Sequence, residues 1–128
     1  MDEKFRKQME ENGADVAATL KRFMGNEKIY MKFLMKFPED KNYDAIMENM
    51  KKQDYDAVFN GVHTLKGVCA NLGLNPVYNA ASQITELLRN REKQQIDIDK
   101  LNECMTRLQE AYERFREILD SYKSAEMN

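Results

Sequence analysis

The apolar residues between Leu101 and Tyr122 keep one strict rhythm. Leu101, Met105, Leu108, Tyr112, Phe115, Leu119 and Tyr122 step alternately by four and three. That is the stripe of a long helix with one face to bury, and Glu, Arg and Lys occupy its other faces. The stripe needs a partner surface. Nothing in the chain alternates with the period of two that would supply a sheet, so the partners must be other helices.

The same spacing recurs upstream. Tyr55, Val58, Val62, Leu65, Cys69 and Leu72 form a second stripe, with Asp54 placed to cap its start and Gly73 to end it. Asn75 followed by Pro76 reads as an N-cap and a first-turn proline, so another helix starts almost at once. It carries Val77, Ala80, Ala81, Ile84, Leu87 and Leu88, and fades in the polar run 90–95. Nearer the start, Asp15–Met24 reads as a short helix (Val16, Leu20, Phe23) stopped by Gly25. Asn26 caps the next, with Ile29, Tyr30, Phe33, Leu34 and Phe37 expected inward. Pro38 kinks or ends it, and Tyr43, Ile46, Met47 and Met50 resume the period.

These segments predict an all-α fold, an antiparallel up-and-down four-helix bundle with an additional short N-terminal helix. The legs are a kinked 26–52 segment, then 54–72, 75–90 and 97–122, with 15–24 as the cap. The chain of 128 residues suits one domain spanning 1–128, its ordered core about 13–122. Apolar residues at 42% and charged residues at 33% fit a helix-rich globular protein rather than a disordered chain. Nine methionines suit a helical core.

The net charge of −2 gives no footprint for nucleic acid. No apolar run reaches the roughly 18 residues of a membrane span, and the start, MDEKFRKQMEENG, lacks the apolar core of a secretory signal. Cys69 and Cys104 both fall on buried stripes and are expected to be free thiols in a reducing, cytoplasmic setting.

His63, the one histidine, lies about 100° around the helix from the buried Val62. Phe59, His63, Lys66, Gly67 and Ala70 share one adjoining face. The imidazole is therefore expected to project from the flank of the bundle toward solvent. Gly67, one turn on, removes the side chain that would cover it. A mid-helix glycine costs roughly 1 kcal/mol against alanine, a cost that makes sense where a partner must reach the ring. Gly61, also mid-helix, is expected to let a neighbouring helix approach. The chemistry that fits is reversible phosphorylation: neutral imidazole is a nucleophile near neutral pH, and the Lys66 ammonium balances the charge of an arriving phosphoryl group. The tight turn near residue 74 sets His63 opposite Thr85, with Gln83 and Glu86 nearby, and a hydroxyl or carbonyl oxygen there is expected to hold the second ring nitrogen.

At this point the residues resemble a family. HTLKGVCANLG, residues 63–73, is similar to the signature of the histidine-containing phosphotransfer (HPt) domain. ADVAATLKRFMGNEKIYMKFLMKF, residues 14–37, resembles the N-terminal helices of stand-alone bacterial members. Together the likeness covers about 13–122. It implies that His63 is the phospho-acceptor, Lys66 its charge partner, Gly67 the access glycine and Gly73 the turn glycine. It further implies receiver domains and a hybrid histidine kinase as partners, with any Mg²⁺ on the receiver and no cofactor or metal on this chain. Val68 replaces the serine or alanine common after K-G, and Thr85 stands where many members carry an imidazole-bonding glutamine. Phe59, Ala70 and Asn71 are the expected docking residues, and the carrier is expected to be monomeric.

Other classes fit less well. A metal-bundle enzyme needs Glu-x-x-His pairs, whereas the residue three before His63 is Asn60. No glycine-rich phosphate loop is present, so neither ATP binding nor autophosphorylation is expected. The remaining alternative is a helical adaptor that binds a partner without phosphotransfer.

Overall fold

The computed structural model describes residues 1–127, which hold seven α-helices, one 3-10 turn and no strand. They run α1 (Glu3–Glu11), α2 (Val16–Arg22), α3 (Glu27–Lys36), the 3-10 turn Phe37–Glu39, α4 (Asn42–Lys51), α5 (Tyr55–Leu72), α6 (Asn75–Leu88) and α7 (Ile98–Met127). The all-α bundle expected from the stripes is present. Helix α5 packs on α4 and α6, α6 on α7, and α7 returns to α3 and the 3-10 turn.

Local chemistry sets the boundaries. The Asp54 carboxylate accepts from the Ala57 N–H at 3.1 Å, and the Asn26 side chain does the same for Ile29 at 3.1 Å. Pro38 sits inside the 3-10 turn that separates α3 from α4 and bends the first leg. Tyr112 of α7 closes the bundle against that bend. Its hydroxyl donates to the Phe37 carbonyl at 3.2 Å, and its ring stacks on Tyr43 at 3.8 Å.

Two glycines carry the close approaches. Gly73 ends α5 in the left-handed region at φ +71°. A Cβ there would lie 2.8 Å from the Asp15 carbonyl oxygen, and the Gly73 carbonyl accepts from the Asp15 N–H at 2.9 Å. The α5–α6 turn is thereby tied to the start of α2. At Gly61 a Cβ would meet Ile46 Cγ1 at 2.8 Å, and Asn42 Nδ2 of α4 donates to its carbonyl at 2.9 Å.

Four features depart from the sequence reading. Helix α1 is an additional element, capped by Asp2 and burying Phe5 and Met9. Helix α7 runs beyond Tyr122 to Met127. The cap of α6 is Leu74, without a side-chain bond, so Asn75 is already its first helical residue. Tyr30, Leu34 and Phe37 are buried as expected, but Ile29 and Phe33 are 43% and 49% exposed. A ten-residue helix wedged between α2, α5 and α7 cannot bury so wide a stripe.

Candidate functional site

The two faces of helix α5 differ sharply. Val58, Val62, Leu65, Cys69 and Leu72 are buried, and burial pushes the Cys69 thiol up to about 12. The opposite face carries His63, Gly67, Ala70 and Asn71, all exposed, with Phe59 and Lys66 partly buried at its edges. The face that spacing assembled around the imidazole is thus present as one surface.

Each neighbour of the ring has a distinct setting. Phe59, one turn before, lies nearly parallel to the imidazole, with 9° between planes and 6.3 Å between centroids. The Arg91 guanidinium sits 4.5 Å from the Phe59 centroid. Arg91 in turn donates to Asp56 Oδ1 at 2.6 Å and to the Leu88 carbonyl at 2.9 Å. On the other flank, Lys66 Nζ stands 5.8 Å from the centre of the Tyr78 ring on α6. A Cβ built on Gly67 meets no atom within 4 Å. The ring is therefore supported on its N-terminal side and open on its C-terminal side.

Thr85 does not join this group. It is 1% exposed, and its hydroxyl donates to the Ala81 carbonyl at 2.8 Å. Height along an antiparallel hairpin set it opposite His63, but its azimuth follows the buried stripe of Ala81, Ile84 and Leu88. The hydroxyl proton is committed to its own helix, the usual resort of a buried threonine. Among the described residues no hydrogen bond engages the imidazole.

Arg91 and Tyr78 are the residues the sequence reading passed over. The same hairpin geometry held the signal, since positions near the end of α6 stand level with Phe59 at the start of α5. Arg91 stands in the polar run after α6, where composition alone gives a side chain no direction.

A groove of about 480 Å³ opens farther along α5. Phe23, Phe33, Phe37, Val68 and Leu72 line it, with Arg22 and Lys36 at its rim. Asn71 borders it, and the Asn71 carbonyl accepts from the Arg22 guanidinium at 3.3 Å. Val68 and Asn71 put this groove about 8–12 Å along the helix from His63.

No cluster of three His, Cys, Asp or Glu side chains among the described residues is arranged to hold a metal ion. Both cysteines are free and buried. No helix among the described residues is long and apolar enough to cross a membrane.

A family model for the Hpt domain matches residues 3–118. No curated protein and no solved structure gives a significant match. The match spans nearly the whole bundle and includes every residue around the imidazole. The chain belongs to the Hpt domain family, whose members have a phosphotransfer role in two-component signalling.

Proposed function

We propose that His63 is the phospho-acceptor of a phosphorelay intermediate, taking a phosphoryl group from the aspartate of one receiver domain and passing it to another. The observation that carries this reading is an exposed imidazole with open space one turn on, at Gly67. The lone pair of the unprotonated ring nitrogen attacks phosphorus of the aspartyl phosphate. The P–N bond forms as the P–O bond breaks, and the aspartate carboxylate leaves with the electron pair. The ring is cationic until its other nitrogen gives up its proton to water. The reverse step at a second aspartate hands the group on.

Lys66, three residues along, supplies the balancing charge. Its ammonium rests against the π face of Tyr78, outside any ion pair among the described residues, and swings toward an arriving dianion. Phe59, Ala70 and Asn71 form the docking rim, and the apolar groove with the exposed Phe33 gives a partner firm footing. Mg²⁺ belongs to the receiver. The chain acts as a monomeric cytoplasmic carrier between a hybrid histidine kinase and response regulators, with no ATP or autokinase site of its own.

Incubation with a phosphorylated receiver domain and Mg²⁺ is expected to place acid-labile phosphate on the wild type and none on His63→Gln. A helical adaptor would bind the receiver and gain no label. That result, or equal labelling of His63→Gln, overturns the reading.

A further inference from the structure

A side chain on a helix leans toward the preceding turn. The residue that an exposed imidazole at position 63 rests on is therefore Phe59, and the residue that would lean over it in turn is Gly67. The first is an aromatic ring, the second has no side chain. The Phe59 ring packs on the edge of the core, and its other support lies outside the helix, on the connection after α6.

Arg91 is only 17% exposed although it stands in that connection, and it has three anchors. Its Nε donates to Asp56 Oδ1 at 2.6 Å, its Nη1 donates to the Leu88 carbonyl at 2.9 Å, and its guanidinium lies 4.5 Å from the Phe59 ring centre. Ordering a long arginine costs conformational entropy. A planar guanidinium with two fixed bonds, laid against an aromatic face, offsets that cost better than a lysine would. The ring it holds is within 9° of parallel with the imidazole, inside the spacing at which aromatic pairs attract. Asp56, Arg91, Phe59 and His63 thus form one chain of contacts that ends at the nucleophile.

The geometry points to Arg91 as a positioning residue that acts through Phe59 to hold the His63 imidazole in one rotamer, its Gly67 side open. The inference rests on His63 being the phospho-acceptor. It also gives the ring the support that Thr85 does not provide. Orientation of this kind matters when the donor is itself held in place, as a docked receiver is. It matters little to a small donor that collides from every direction.

That contrast supplies the test. Phe59→Ala, Arg91→Gln and the double variant are compared with wild type, each checked for an unchanged melting curve. Phosphoryl transfer from a phosphorylated receiver domain is expected to slow about tenfold in Phe59→Ala and about threefold in Arg91→Gln. Arg91→Lys recovers part of the loss. Labelling by phosphoramidate, a small freely diffusing donor, stays within about twofold of wild type in Arg91→Gln and Arg91→Lys. The double variant is no slower than Phe59→Ala, because Arg91 has no route to the imidazole except through that ring. Three-bond NMR couplings of His63 report one dominant χ1 rotamer in wild type and averaging in both single variants.

Couplings already averaged in wild type, or unchanged in Arg91→Gln, overturn the inference. So does a double variant slower than Phe59→Ala alone. Failure of the relay itself reads differently: wild type then takes no label from the receiver, while the couplings still decide whether the clamp exists.

Discussion

Gly61 and Gly67 lie six residues apart on α5, and a methyl group added to each would meet opposite surroundings. At Gly61 it would meet Ile46 Cγ1 at 2.8 Å and Asn42 Oδ1 at 3.2 Å. At Gly67 it would meet nothing within 4 Å. Both glycines cost the helix the same intrinsic stability. At Gly61 the cost is offset by bringing α4 close enough for the Asn42 hydrogen bond and for Ile46 to pack. At Gly67 no packing offsets it, and clearance beside the imidazole is what the helix keeps. One helix uses the same residue for intimacy on one side and for vacancy on the other.

The sharpest way to break this comparison is Gly67→Arg. Its side chain leans back over His63, so phosphoryl transfer is expected to fall about a hundredfold, or about 2.7 kcal/mol in the barrier, with the fold intact. A receiver transfer assay beside a melting curve checks both halves, and normal transfer refutes the clearance argument. Gly61→Leu is the mirror experiment. Overpacking against the buried Ile46 is expected to cost about 2 kcal/mol, read from the denaturant midpoint at constant slope.

The buried face also carries a pH signature. Cys69 is raised from 9.0 to about 12 by burial. A folded value above the unfolded one means that its contribution is complete below pH 9.0 and is lost as pH rises toward about 12. At pH 10 the loss is about 1.4 kcal/mol, and Cys69→Ala should flatten that part of the urea stability profile. The smallest effect is Gly67→Ala, expected to stabilise by about 1 kcal/mol, since an exposed helical methyl gains propensity and meets nothing.

The parts of the molecule that sequence made legible share one property: their chemistry is set along a single helix. The stripes of α5 and α7, the Asp54 and Asn26 caps and the left-handed Gly73 all follow from spacing and backbone preference. So does the surface around His63, because residues three and four apart on a helix must be neighbours. What spacing misjudged depends on what stands opposite. Ile29 and Phe33 lie on the expected stripe, yet both stay about half exposed at its edge. Thr85 stands at the right height but faces the core. Helix α1 offered only Phe5 and Met9 among many charges, too faint a period to separate from a solvated tail. Spacing along one helix does not reach Arg91, because its partners Asp56 and Phe59 lie on α5 and only the register of the hairpin brings them level.

The tie between Gly73 and Asp15 bears on how the protein can be engineered. A short link between antiparallel helices is ordinarily a convenient place to splice in foreign sequence. Here that link is stitched by backbone hydrogen bonding to the start of α2 and leaves no room for a side chain. A sensor module grafted there would unpick the N-terminal helices along with the end of the histidine helix. The exposed stretch 92–95, beyond Arg91, is the better graft point, because cargo inserted there leaves both seams closed.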